Sequence, residues 1–140
     1  MNFLLDTCVL SELVKPRPNK KVIAWITSCR EQNLFLSVIT VGEIQKGVSL
    51  LPKSNKKNEL HSWLESELIK RFDRRILGID VHVARKWGEI QALSEKNGTP
   101  MPVIDSLIAA IGLIYDLTVT TRNTEDMKST GVRLFNPWNQ

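Results

Sequence analysis

The stretch Asn2-Phe3-Leu4-Leu5-Asp6-Thr7-Cys8-Val9-Leu10-Ser11-Glu12-Leu13-Val14-Lys15 changes its hydrophobic period at one acidic residue. Asn2 to Leu5 is a short apolar run, as a buried strand requires, and it ends at Asp6. Thr7 to Lys15 then places Val9, Leu10, Leu13 and Val14 at helical spacing. Pro16-Arg17-Pro18 stops that helix, because proline has no amide donor and clashes with the preceding turn.

The alternation repeats outward from this junction. Val22 to Arg30 resumes helical spacing through Val22, Ile23, Trp25 and Ile26, and Leu34 to Ile39 is rich in strand formers. Thr40-Val41-Gly42-Glu43 has the spacing of a capping box, which predicts a helix from there to about Leu51. Pro52 to Lys57 is expected as a basic connector, and Glu59 to Phe72 as a helix with Leu60, Trp63, Leu64, Leu68 and Phe72 on one side. Arg75 to Ile79 fits a short strand, with Asp80 capping a helix over Val83 to Glu95 that Asn97-Gly98-Thr99-Pro100 terminates. Val103 to Tyr115 is apolar nearly all round, so a central buried helix is expected. Leu117 to Thr121 reads as a strand, Thr124 to Ser129 as a helical turn, and Val132 to Phe135 as a last strand. Strands alternating with helices predict an α/β fold with a mainly parallel sheet. With 140 residues and no internal repeat or linker, residues 1–140 are expected to form one domain.

Four acids, Asp6, Glu43, Asp105 and Asp126, lie where strand-like runs give way to helices. A parallel sheet brings such junctions to the carboxyl edge, where ligands of open α/β sheets bind. Carboxylates converging there repel one another unless a cation intervenes, and an oxygen-only site suits Mg²⁺ or Mn²⁺. Structural readings compete at each position. Asp6 fits a plain N-cap, and Glu43 fits the reciprocal glutamate of the capping box. Asp105 shares a face with Ile108, Ala109 and Gly112, where an unpaired charge is costly and demands a metal or a basic partner. Asp126 sits in a polar turn beside a rival acid, Glu125, and by itself reads as surface.

Other chemistry finds little support. His61 and His82 lie among charged residues on amphipathic helices, no Cys/His spacing suits zinc, and the glycines form no phosphate loop. The basic clusters Arg17/Lys20/Lys21, Lys53/Lys56/Lys57, Arg71/Arg74/Arg75 and Arg85/Lys86 read as solvated helix faces that would hold a phosphate backbone only if they rimmed the acids. Trp25, Trp63 and Trp87 read as core. Hydrophobic content of 42%, charged content of 24% and a net charge of +4 are ordinary for a water-soluble enzyme. Leu107 to Tyr115 is too short to span a bilayer, and the first residues lack the basic start of a signal peptide. Two cysteines outside any CxxC pattern suit reduced thiols, so a cytoplasmic protein without membrane association is expected.

The order of segments resembles PIN-domain proteins, especially VapC-type toxins of toxin–antitoxin modules. The resemblance is carried by Asp6-Thr7-Cys8-Val9-Leu10-Ser11-Glu12, by Leu36 through Ile44 and by Asp105-Ser106-Leu107-Ile108-Ala109-Ala110. Thr121-Arg122-Asn123-Thr124-Glu125-Asp126 and the segment from Gly131-Val132 through Asn136-Pro137-Trp138 complete it. It implies a three-layer α/β/α domain and a Mg²⁺- or Mn²⁺-dependent endoribonuclease that attacks RNA phosphodiesters with a metal-activated water. It also implies a homodimer and a VapB-type antitoxin that blocks the site. By motif, Asp6 and Asp105 correspond to the principal metal ligands. Glu43 and Asp126 complete the acidic quartet, and Thr7, Thr121 and Asn123 are supporting polar groups. Two positions depart from the pattern: Cys8 replaces the usual Asn, and Met127 the usual Phe. A competing reading is a non-catalytic RNA- or partner-binding module whose acidic pocket binds a basic peptide, for example through an antitoxin's bidentate arginine. A phosphatase or DNA nuclease with the same metal site is a third.

Overall fold

A computed structural model describes residues 1–139, and in it Leu4 and Leu5 already separate two hydrophobic cores. Successive side chains of a strand point to opposite faces, so these adjacent leucines, each 1% exposed, bury into opposite layers. Full burial of one such side chain stabilises the fold by about 1.5–3 kcal/mol. They belong to β1 (Phe3–Leu5), which is followed by α1 (Thr7–Leu13) and α2 (Lys20–Ser28). Next come β2 (Leu34–Ser37), α3 (Val38–Leu50) and α4 (Asn55–Ser62), which runs through a π-helical stretch, Trp63–Leu68, into α5 (Ile69–Arg71). β3 (Ile76–Leu77), α6 (Val81–Lys96), α7 (Val103–Ile114), β4 (Thr118–Thr120), α8 (Thr124–Met127) and β5 (Leu134–Phe135) complete the order.

All strand pairs are parallel, in the order β3-β2-β1-β4-β5, with Leu4 opposite Phe35 on one side and Val119 on the other. One layer packs Leu5, Val9, Leu10, Val22, Trp25 and Phe72 against the sheet. The opposite layer packs Leu4, Val83, Ile108, Ile111, Val119 and Met127. The result is the expected three-layer α/β/α arrangement. Strand order reverses between β1 and β4, which places a crevice at their carboxyl ends.

Several boundaries differ from expectation. β2 ends at Ser37 rather than Ile39, and Ser37, not Thr40, caps α3, its hydroxyl accepting the Thr40 amide at 3.1 Å. Val38 and Ile39 are β-branched and read as strand, yet a buried serine that satisfies a free helix amide decides the boundary. The basic connector is short, because Ser54 caps α4 and the lysines from position 56 onward are helical. β3 and β5, at the sheet edges, keep two residues each. α7 is buried at Ser106 and from Ile108 to Gly112, but Val103, Ile104 and Ile114 at its ends are exposed. The Gly98 stop stands as expected: φ is +71°, and its amide returns to the Glu95 carbonyl at 3.0 Å.

Gly112 brings α7 close to the sheet. A Cβ built there meets Val132 Cγ2 at 2.8 Å and Val119 Cγ2 at 2.9 Å. Gly112→Ala is therefore expected to destabilise the protein by about 1–2 kcal/mol, overpacking outweighing the gain in helix propensity. Gly88→Ala, in α6 with open space around it, is expected to stabilise by up to about 1 kcal/mol. Urea unfolding checks both, and a Gly112→Ala protein as stable as wild type contradicts the close approach.

Candidate active site at the carboxyl edge of the sheet

Asp6 leaves β1 and caps α1 in one residue. Its Oδ1 accepts the amide of Thr7, the first residue of the helix, at 2.8 Å, and its Oδ2 accepts the Thr121 hydroxyl at 2.8 Å. The second bond ties the carboxyl ends of β1 and β4 together at the crossover. Asp6 is 6% exposed, yet no lysine, arginine or histidine pairs with it among the described residues.

Glu43 lies in the second turn of α3, too far along to be its capping glutamate. Instead its Oε1 accepts the Thr7 hydroxyl at 2.6 Å across 36 residues of sequence. Thr7 thus holds two acids at once, Asp6 through its amide and Glu43 through its hydroxyl. A half-buried groove of about 170 Å³ opens beside this pair, lined by Thr7, Ser11, Val14, Glu43, Leu60 and Trp63.

Asp105 stands in the first turn of α7, half-buried. Burial pushes its carboxyl above the usual aspartate range, and the charges of Asp6, Asp126 and Glu43 push it further. All four sequence-predicted acids therefore share one electrostatic field. Asp126 is exposed on α8, and its charge reaches Asp105. Its rival Glu125 instead faces Lys128 at 4.0 Å. Among the described residues none of the four acids has a basic partner, so the basic residue that Asp105 seemed to require does not arrive through the fold.

The supporting groups divide. Thr7 and Thr121 bond the acids directly, whereas Asn123 contributes its backbone amide, which donates to Thr121 Oγ1 at 3.0 Å while its side chain is exposed. Cys8 fills the space beside Asp6, its sulfur 3.9 Å from Oδ2 and 3.6 Å from Thr121 Oγ1, and accepting the Arg122 amide at 3.5 Å. Burial pushes this thiol up, so it packs as a neutral neighbour of the acids. His61 and His82 are exposed, as their sequence context suggested.

Glu12 escaped the sequence reading. It is 4% exposed and accepts Lys15 Nζ at 3.2 Å, Trp138 Nε1 at 3.3 Å and the Asn19 amide at 3.1 Å. Burial raises its pKa, but the Asn19, Lys15 and Trp138 bonds outweigh that and hold it below the usual glutamate range. The one signal in the sequence was its place three residues after Val9, on the face of α1 that is buried.

Among the described residues no three Asp, Glu, His or Cys side chains close into a ready-made metal cage. The donor chemistry nonetheless fits a hard divalent ion: every donor is an oxygen, the charge is uncompensated, and Mg²⁺ uses one or two carboxylates while keeping most of its water.

Comparison with known proteins finds relatives along nearly the whole chain. The family model for the PIN domain matches residues 3–132. Toxin FitB of Neisseria gonorrhoeae is 41% identical over 135 residues, covering 96% of this chain and 97% of the relative. VapC ribonuclease Y4jK of Sinorhizobium fredii is 32% identical, with 96% of each covered. The crystal structure of FitAcB from Neisseria gonorrhoeae contains a chain that superposes with a TM-score of 0.93 at 40% identity, 99% of each chain being covered.

The raised Asp105 carboxyl has a consequence for metal-free stability. Below about pH 4 the group is protonated in folded and unfolded chains alike, and Asp and Asn are then equivalent. As pH rises through the raised folded value, its charge forms against its neighbours and stability is lost. In EDTA, Asp105→Asn is expected to raise Tm at pH 7 and to lose that advantage in acid. Equal Tm values at pH 7 would show that the acids do not repel.

Proposed function

The chain belongs to the PIN-domain family, and from that premise we propose that it is the toxin of a toxin–antitoxin pair, acting as a Mg²⁺- or Mn²⁺-dependent endoribonuclease. The observation that carries the reading is four acids gathered without a basic partner among the described residues: burial raises the Asp105 carboxyl, and the charges of Asp6, Asp126 and Glu43 raise it further. A site that raises its own carboxylate pKa is built for a cation it does not itself provide.

In this reading Asp6 and Asp105 hold the ion directly, one from the end of β1 and one from the first turn of α7. The Thr7 amide and Thr121 hydroxyl hold the Asp6 carboxylate in place, and each of its oxygens keeps lone-pair capacity for a ligand. Glu43, oriented by Thr7, would order water for the ion or take the proton of the attacking water. Asp126, exposed on the short α8, completes the negative field and is free to meet water or a second ion. When bound, Mg²⁺ or Mn²⁺ supplies charge neutralisation and acidifies water for in-line attack on the phosphodiester. RNA as substrate is supported by the ribonuclease name of a relative that matches along nearly the whole chain.

An antitoxin of the VapB type is the partner this reading assigns, and an arginine from it would satisfy the carboxylates bidentately where the chain's own basic residues do not. A homodimer is part of the same proposal. Among the described residues no helix is long and apolar enough to cross a membrane, and both cysteines are free thiols, which supports action in the cytoplasm.

The test uses antitoxin-free protein and total bacterial RNA with Mg²⁺ or Mn²⁺. Discrete fragments are expected, abolished by EDTA and reduced about 100-fold or more in Asp6→Asn and Asp105→Asn. Folded wild-type protein that binds RNA or a basic peptide without cutting any RNA would instead make the acids a binding surface. Equal cleavage of DNA would widen the substrate class.

A further inference from the structure

Arg122 directly follows Thr121, the residue that holds Asp6, and its backbone is fixed to the site from two sides. Its amide donates to Cys8 Sγ at 3.5 Å, and its carbonyl accepts Asn136 Nδ2 at 3.5 Å. The Thr121 amide is likewise bonded to the Phe135 carbonyl at 3.0 Å. These bonds tie the loop carrying Arg122 to Cys8 and to the segment after β5.

Its side chain is ordered without being used. The guanidinium lies over the Trp138 ring, Cζ 4.2 Å from the centroid, a cation–π placement. Nη2 is 3.6 Å from Glu12 Oε1, an ion pair outside hydrogen-bond distance. Glu12 already accepts from Lys15, Trp138 and the Asn19 amide, so it steers the guanidinium by charge and leaves the donors unengaged. Among the described residues no oxygen takes a hydrogen bond from this guanidinium, and the side chain is 52% exposed. Three arginines with partners differ from it: Arg71 and Arg75 direct their donors at Glu31, and Arg133 at Asp116 and Thr118.

A cluster of carboxylates repels the polyanion it must cut, and a cation fixed beside it offsets that repulsion. A planar guanidinium with free donors matches phosphate oxygens bidentately. We propose that Arg122, seated on Trp138 and aligned by Glu12, binds a backbone phosphate flanking the scissile one. The proposal rests on RNA being the substrate and names how the strand is held at that same site. Trp138 and Glu12 are positioning residues, and Arg122 is the contact.

The test measures binding rather than cleavage. A 2′-O-methyl RNA oligonucleotide is titrated by fluorescence anisotropy in EDTA over a range of salt, for wild type and Arg122→Gln. The glutamine keeps a planar amide on the indole and removes the charge. Arg122→Gln is expected to bind about tenfold more weakly at low salt. Its slope of log affinity against log salt is expected to fall in magnitude by about 0.7, one single-strand phosphate contact. An unchanged slope overturns the proposal. If wild type itself shows no salt-dependent RNA binding, the phosphate contact is rejected, and cleavage of RNA in Mg²⁺ decides the ribonuclease reading separately. Should Arg122→Gln not fold by circular dichroism, the Arg122 Nε–H resonance of the wild-type protein decides. It is expected to shift as the oligonucleotide is added, and a resonance that stays still rejects the contact.

Discussion

Like charges held near one another at the crossover between β1 and β4 are the constraint around which the carboxyl edge is organised. The fold supplies the edge by reversing strand order at β1 and β4, so that Asp6 and Thr121 emerge side by side. It supplies α7, whose first turn carries Asp105 into the same field. It supplies neutral hydroxyls, Thr7 and Thr121, to orient the acids, and among the described residues it supplies no basic side chain to neutralise them. Hydroxyls fix geometry without cancelling charge, which preserves the field for an incoming cation or guanidinium. In the proposed reading, metal binding, phosphate handling and block by a basic partner would all use this one electrostatic feature.

Charge is treated differently one shell away. Glu12 is as buried as Asp6, but its oxygens are saturated by Lys15, Trp138 and Asn19, with Arg122 close by. Two acids on one short helix thus have opposite fates. The saturated one anchors the chain's last described segment to α1, and the unsaturated one faces the crevice. An anionic site next to a fixed Arg122 can both bind cations and tolerate a polyanion.

Much of this was legible in the residues, for identifiable reasons. The β1–α1 junction is unmistakable because the period changes abruptly at Asp6, and the alternating elements leave a parallel sheet as the simple solution. The α3 boundary misled because Thr40 and Glu43 have capping-box spacing, while the true cap, Ser37, sits inside what reads as strand. The start of α4 was hidden in a lysine-rich tract that resembles a linker but has good helix propensity. Asp105 declared itself by its apolar surroundings. Glu43 did not, since only the fold brings Thr7 to it and shows that it is no cap. Glu12 was hard to single out because, beyond the nearby Lys15 and Asn19, its partners Arg122 and Trp138 lie far along the chain.

Diffraction at the manganese edge from crystals of the free protein soaked in Mn²⁺ locates any ion without reference to substrate, partner or turnover. An anomalous peak bridging the Asp6 and Asp105 carboxylates is the predicted result. A saturating soak that leaves those two carboxylates without a peak, or puts the ion elsewhere on the protein, would contradict the view that their repulsion exists to hold a cation.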